Sequence, residues 1–206
     1  MTTSGDCFMV SVTGQISQAQ FPGYNHIWCK YCFSYGRDWK NIAGMEEGMT
    51  QTSIKGPDSC QGHIFNFPLD VSWKSSNPSG WPQLVVHAYG LDVFGKDVIR
   101  GYGSVHVPME SGSHSRRIPM FVPQSSSVLM QLNAWLSGKR PEFVNPQVVA
   151  SGNGREVTKV KTQGFVDVLF NVATKNLHGL GYRVGPKSDG TVDDLLMMVG
   201  TENLSL

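Results

Sequence analysis

Charge is scarce in this chain. Asp, Glu, Lys and Arg make up 16% of its 206 residues, and the formal net charge is +1. So thin and balanced a charge gives no support to a global electrostatic grip on phosphates, and no nucleic-acid partner is expected. Cysteine is sparse too, with four in all. A domain of this length can bury roughly 70% of its unfolded surface without a metal or disulfide staple. No apolar run approaches a membrane-spanning helix. The first one, Cys7 to Val12, is too short for a signal peptide and lacks a basic lead-in. The expectation is a soluble protein of the reducing cytoplasm whose cysteines are thiols. A G-x-S-x-G elbow, an H-E-x-x-H helix and a Walker loop are all missing, so no enzyme and no cofactor is expected.

What the chain does have is alternation. The stretch from Ile64 to Val107 predicts three consecutive antiparallel strands. In the first, Phe65, Phe67, Leu69, Val71 and Trp73 alternate with Asn66, Pro68, Asp70, Ser72 and Lys74, giving one apolar and one wet face. Asn77-Pro78-Ser79-Gly80 then reverses the chain. Trp81 to Tyr89 sets Leu84, Val86 and Ala88 on one face. Asp97 to Val107 sets Ile99, Gly101, Gly103, Val105 and Val107 against Arg100, Tyr102, Ser104 and His106. Gly101-Tyr102-Gly103 has no following helix to present amides to a phosphate, and predicts a place where a neighbouring aromatic side chain crosses the sheet.

Upstream, Phe8, Val10, Val12, Gly14 and Ile16 open a strand, and Ile27, Cys29, Tyr31, Phe33 and Tyr35 form the apolar face of a second. Met45 to Ile54 reads as a looser edge strand. Downstream, Ile118, Met120 and Val122 mark a short strand that Pro119 and Pro123 place at an edge. Val128, Leu129, Leu132, Trp135 and Leu136 carry the one good helical spacing, ended by Gly138 and Pro141. Two strands follow, Glu156 to Thr162 and Gly164 to Thr174, the latter burying Val166, Val168, Phe170 and Val172. The fold class is all-β: a two-layer antiparallel sandwich of eight to nine strands with one short inserted helix. One domain is expected over residues 1–183, with 184–206 as a flexible tail.

Cys29-Lys30-Tyr31-Cys32, with Cys60 and His63, has the composition of a zinc set. Strand residues three apart face opposite sides, however, so the stronger reading is two small packing cysteines. Asp92 and Asp97, with Asp70 nearby, are the best calcium candidates, but the acids are few and Lys96 sits between them. No metal site is expected. Arg155, Lys159 and Lys161 share one parity of a strand and are the candidate contact for an anionic membrane. The wet faces of two strands are unusually apolar: Trp28 and Cys32 on one, Val85 and Tyr89 on the other. A sandwich buries one face of each sheet internally, so these side chains need a helix, a loop or another chain as cover. They are the candidate partner-binding residues, together with Thr50 in the proposed edge.

A set of short motifs occurs in a specific order and spacing: Cys29-Lys30-Tyr31-Cys32-Phe33, Asp38-Trp39, Glu46-Glu47-Gly48, Asn66-Phe67-Pro68 and Asn77-Pro78-Ser79-Gly80-Trp81-Pro82. It continues with Asp92-Val93-Phe94-Gly95, Arg100-Gly101-Tyr102-Gly103, Ile118-Pro119-Met120-Phe121-Val122-Pro123, Gly154-Arg155-Glu156-Val157-Thr158 and Gln163-Gly164-Phe165. From about Phe8 to Tyr182 the chain resembles the B9 domain family. The resemblance implies a C2-like sandwich without enzymatic activity, in a cytosolic subunit of the assembly at the ciliary transition zone and basal body. It implies as partners the B9 domain-containing protein 2, the Meckel syndrome type 1 protein and tectonic-like complex members. It further implies a role in ciliogenesis, the ciliary diffusion barrier and hedgehog signalling. A peripheral, calcium-independent phospholipid-binding module is the alternative it leaves open.

Overall fold

The computed structural model describes residues 7–56, 62–123, 160–177 and 180–182. They form ten strands: β1 (Phe8–Gln20), β2 (His26–Ser34), β3 (Lys40–Gly44), β4 (Glu47–Met49), β5 (Ser53–Ile54), β6 (His63–Ser75), β7 (Gln83–Leu91), β8 (Asp97–His106), β9 (Gly112–Pro123) and β10 (Val160–Lys175). Hydrogen bonding follows the order β3-β6-β1-β10-β9-β8-β7-β2-β4, with β5 beside β2. Every pairing is antiparallel. β8 and β9 share a single registered pair, Tyr102 with Phe121. At that seam the sheet folds over into two layers, so the all-β antiparallel sandwich expected from the alternation is what the chain adopts.

The core lies between the layers, and the alternating residues supply it. Val10, Val12 and Ile16 of β1, Leu69, Val71 and Trp73 of β6, and Val166, Val168 and Phe170 of β10 are buried from one side. Ile27, Cys29 and Tyr31 of β2, with Leu84, Val86 and Ala88 of β7, meet them from the other. The rings of Phe33 and Trp73 touch edge to face across the gap, with centroids 5.0 Å apart. One end is plugged by Phe8, Trp39 and Trp81. Their indole N–H groups are satisfied by the Ser79 carbonyl for Trp39 and the Val107 carbonyl for Trp81.

The two terminal strands of the sheet order, β3 and β4, are consecutive in the chain. Only Met45 and Glu46 separate them, so this short strap ties the two free edges together. It is fastened on both sides, by the Met45 amide to the Asp70 carbonyl and by the Phe33 amide to the Glu46 carbonyl.

Several expectations are corrected. Among the described residues the strands number ten rather than eight or nine: the edge strand expected over Met45 to Ile54 is two short pieces, β4 and β5, and β3 is short and mostly exposed, with no alternation to read. Ile118, Met120 and Val122 lie in an interior strand, not an edge. Pro119 is tolerated because its carbonyl side faces β8 across the barely laddered seam, as its 2.9 Å approach to the position of a Cβ on Gly103 shows. Ile99 leaves the face of Gly101. Ala88 pairs with Gly101 and Tyr89 with Ile99, so Arg100 is the extra residue of a bulge and every side chain before it changes face. Gly101 and Gly103 are indeed crossing points, but Met120 and Ile118 press on them more closely than the Phe21 ring does. The strand from Gly164 to Thr174 is one with its shorter predecessor, joined through an irregularity between Thr162 and Gly164. The helix expected over Val128 to Leu136, the residues Glu156 to Lys159 and the tail 184–206 lie outside the described residues.

Candidate interaction surface

β2 and β7 pair with Trp28 opposite Tyr89 and Cys32 opposite Val85, which puts all four on the outer face. The Trp28 and Tyr89 rings stack with centroids 4.3 Å apart and planes 9° from parallel. The Trp28 indole donates to Asp97 at 3.0 Å, which fixes the ring. Trp28, Cys32 and Tyr89 are half-buried and remain reachable. Val85 does not. It is fully buried within the single chain, in a second apolar cluster with Ile99 and Tyr102. The cover that this face needs is therefore provided at Val85 without a second molecule.

Thr50 is corrected more sharply. It is buried, its amide donates to the Cys29 carbonyl, and its hydroxyl accepts from the Cys29 amide at 2.9 Å and donates to the Gln51 carbonyl. It braces β2 from inside, so a proline there tests the fold rather than a free edge.

His87 sits on the same outer face, its ring edge-on to Tyr102 at 5.1 Å, with a buried Nε2 that has no partner among the described residues. Burial first, then the Lys30 charge, pushes its pKa down from 6.5 to about 4. The unfolded chain binds this proton first. Stability is therefore whole above pH 6.5, falls as pH drops toward 4, and levels off below. The thermal midpoint is expected to fall more between about pH 7.5 and about pH 4.5 in the native protein than in His87→Gln. Equal falls in the two proteins would show that His87 is not the group responsible.

The metal candidates do not converge. Cys29 faces the core, where burial raises its thiol to about 12, while Cys32 lies on the outer face, its pKa raised by burial and then by Glu47. His63 is buried with Nδ1 on the Ser53 carbonyl, and Cys60 lies outside the described residues. Asp92 accepts with one carboxylate oxygen, Oδ1, from the Phe94 and Lys96 amides, at 2.8 and 2.9 Å, and those bonds hold its pKa down. Asp97 accepts from Trp28, and Asp70 stands on β6 in the other layer. Among the described residues no three His, Cys, Asp or Glu side chains form a metal-holding group. Of the basic candidates, Arg155 and Lys159 lie outside the described residues and Lys161 is exposed on β10. Arg117 is held by Asp167 through two hydrogen bonds, at 2.7 and 3.0 Å.

Two apolar features escape the alternation argument. Met45, Met49 and Ile54 stand 61%, 61% and 66% exposed along the strap and the strands beside β2. Val93 and Phe94, at the tip of the β7–β8 hairpin, are the most exposed large apolar side chains among the described residues. Both lie in Gly-containing stretches that read as turn or loose edge. The available signal was apolar residues placed where a turn has no core to face.

Residues 10–173 match the family described as "Ciliary basal body-associated, B9 protein". The mouse B9 domain-containing protein 1 is 55% identical over 183 residues, 89% of this chain and 90% of the relative. The human B9 domain-containing protein 2 is 27% identical over 172 residues, 84% of this chain and 97% of the relative. Among solved structures, a C2 domain of plant extended synaptotagmin 1 superposes with a TM-score of 0.39 at 12% identity, covering 80% of this chain and 92% of that one. Neither the family description nor the names of these two relatives denotes an enzyme.

Proposed function

The chain belongs to the B9 family of ciliary basal body-associated proteins, and from that membership we propose that it is a non-enzymatic scaffold subunit that works by assembling with a second B9 protein. The observation that carries the proposal is the outer edge of the sheet at β4. Among the described residues β4 is paired only on its β2 side, and it ends the sheet order. A strand edge of this kind, bordered by exposed Met45, Met49 and Ile54, invites addition of another chain. Methionine suits such a contact, since its unbranched, polarizable side chain adapts to an irregular partner surface. Trp28, one strand inward and fixed by Asp97, extends the same apolar region. Homologues of two distinct B9 proteins are consistent with a partner from the family.

In its finer form the proposal sets this subunit in the transition-zone assembly. The B9 domain-containing protein 2 and the Meckel syndrome type 1 protein are its direct partners and tectonic-like proteins are further members. There it supports ciliogenesis, the diffusion barrier and hedgehog signalling. The test is co-purification with a B9 domain-containing protein 2 and sizing of the product. Met45→Glu combined with Met49→Glu should weaken the complex by at least about tenfold, since a charge trapped in an interface is costly. Both side chains are exposed, so the thermal midpoint should stay put. A native protein that remains monomeric beside every other B9 protein would end the scaffold proposal. A complex untouched by the double substitution would move the interface elsewhere.

A further inference from the structure

We propose that Met45 and Met49 are an oxidation-sensitive pair, and that their conversion to sulfoxides by a peroxide closes the β4 edge to its protein partner. The inference rests on the reading of that edge as the assembly surface and adds its regulation. Each of the two thioethers stands 61% exposed, against 48% for Met109 and 37% for Met9, while Met120 is fully buried. Peroxide attacks a thioether directly, so the rate follows access to the sulfur. The two most open methionines among the described residues thus fall together, on the strap and on the strand it leads into.

The backbone keeps both side chains outside. The Met45 amide donates to the Asp70 carbonyl, the Phe33 amide to the Glu46 carbonyl and the Thr50 amide to the Cys29 carbonyl, so the run is fastened along its length. Met49 is registered with Lys30 and Gly48 with Tyr31 of β2. A Cβ on Gly48 would come within 2.9 Å of the Tyr31 ring, so Gly48 is the inward position and is already filled. Its neighbours Glu47 and Met49 point outward, as alternation requires. Met49 has nowhere to retreat.

The nearby thiols compete poorly, because a thiol reacts as its thiolate. Cys29 is buried, and burial pushes its pKa up to about 12. Cys32, registered with Glu47, is half-buried, and burial and then the Glu47 carboxylate raise its pKa. A thioether has no proton to lose and escapes this protection.

In the reaction the peroxide O–O bond breaks. One oxygen bonds to the methionine sulfur and the other leaves as water, the sulfur losing the two electrons that the peroxide gains. The product is a polar side chain with a strong acceptor oxygen, in place of a flexible apolar one. Seated against an apolar partner surface, it gives up that contact and needs a donor the surface does not supply. In the free chain the same oxygen is solvated, so the fold is spared while the complex is lost.

The test treats the full chain with hydrogen peroxide, removes the peroxide, and measures binding to a B9 domain-containing protein 2. Peptide mass spectrometry should find sulfoxide at Met45 and Met49 before Met9 and Met109, with Met120 unmodified. The treated chain should bind about tenfold more weakly at an unchanged thermal midpoint. Methionine sulfoxide reductases should restore it. Met45→Leu with Met49→Leu keeps the apolar surface without an oxidisable sulfur, and should bind equally before and after peroxide. Met45→Gln with Met49→Gln should bind as weakly as the treated native chain without any oxidant. Earlier oxidation of Met9 or Met109 overturns the inference, as does a doubly oxidised chain that binds in full. So does a leucine variant that loses as much binding to peroxide as the native chain, which puts the damage elsewhere. An untreated native chain that forms no complex is a different failure: it ends the scaffold reading, and this inference with it.

Discussion

Trp73→Ala should lower the unfolding free energy by about 3–5 kcal/mol. That is a large part of the roughly 5–15 kcal/mol by which a domain is normally stable. Trp73 is fully buried in β6, and it is where the two layers lock. The Phe33 and Tyr35 rings approach it edge-on from the other layer, with centroids 5.0 and 6.0 Å away. On its own layer it is registered with Val10 of β1 and Asn41 of β3. Removing it leaves a cavity bounded by strands from both sheets, and neither sheet can collapse into it without breaking its own ladder. The expected fall in thermal midpoint is about 10 °C or more.

The indole is needed for volume and not for its polar atom, because its N–H is buried without a partner among the described residues. Trp73→Phe retains an edge-on ring and removes that unsatisfied donor, which offsets part of the lost burial. It should cost less than about 2 kcal/mol. Urea or thermal unfolding of the two variants decides the matter. If Phe is as damaging as Ala, an aromatic ring at this junction is not enough to hold the layers and the buried N–H has a use of its own.

How much of this was legible in the sequence depends on the element. β6 was readable residue by residue, because one of its faces is core and the other is water throughout. β8 was readable only as far as its bulge. The extra residue at Arg100 is set by pairing with β7, a long-range property that leaves no local mark, and it sent Ile99 to the wrong face. β3 and β4 are short and exposed, so their strand character comes from the edges they bind rather than from their own residues. Among the site residues, parity correctly sent Trp28, Cys32, Val85 and Tyr89 outward. It could not show that Val85 is covered within the chain, nor that Thr50 points in. The acids at 92 and 97 drew attention as possible ligands, whereas their work is to cap a turn and hold an indole. Counting carboxylates does not distinguish these uses; only the positions of nearby N–H groups do.

The strap between the sheet edges gives the second large effect, at Gly44→Ala. Gly44 takes φ +84°, a conformation that costs an L-residue about 1–3 kcal/mol. A Cβ there would also lie 2.2 Å from the Asp70 carbonyl oxygen and 2.7 Å from the Val71 Cα, and both are backbone atoms of β6 that cannot turn aside. The cheapest relief is for β3 to leave β6, since β3 is mostly exposed and, among the described residues, pairs with no other strand. That escape route caps the global loss at about 3 kcal/mol and makes the damage local. The Met45 amide, which donates to Asp70, should then exchange with solvent much faster than in the native protein. Gly48 is the control. The nearest atoms to a Cβ there belong to the Tyr31 side chain, at 2.9 Å, and a ring can give where the backbone of β6 cannot, so Gly48→Ala should cost less than Gly44→Ala. The functional consequence follows from position. Met45 and Met49 sit on the strap and on β4, so its release should weaken the B9 complex by about tenfold or more at temperatures where the core is intact. Trp73→Ala, in contrast, should still bind below its own melting point. Should Gly44→Ala and Gly48→Ala prove equally harmless to the complex, the strap is a closure for the sandwich alone and the partner is held by some other surface.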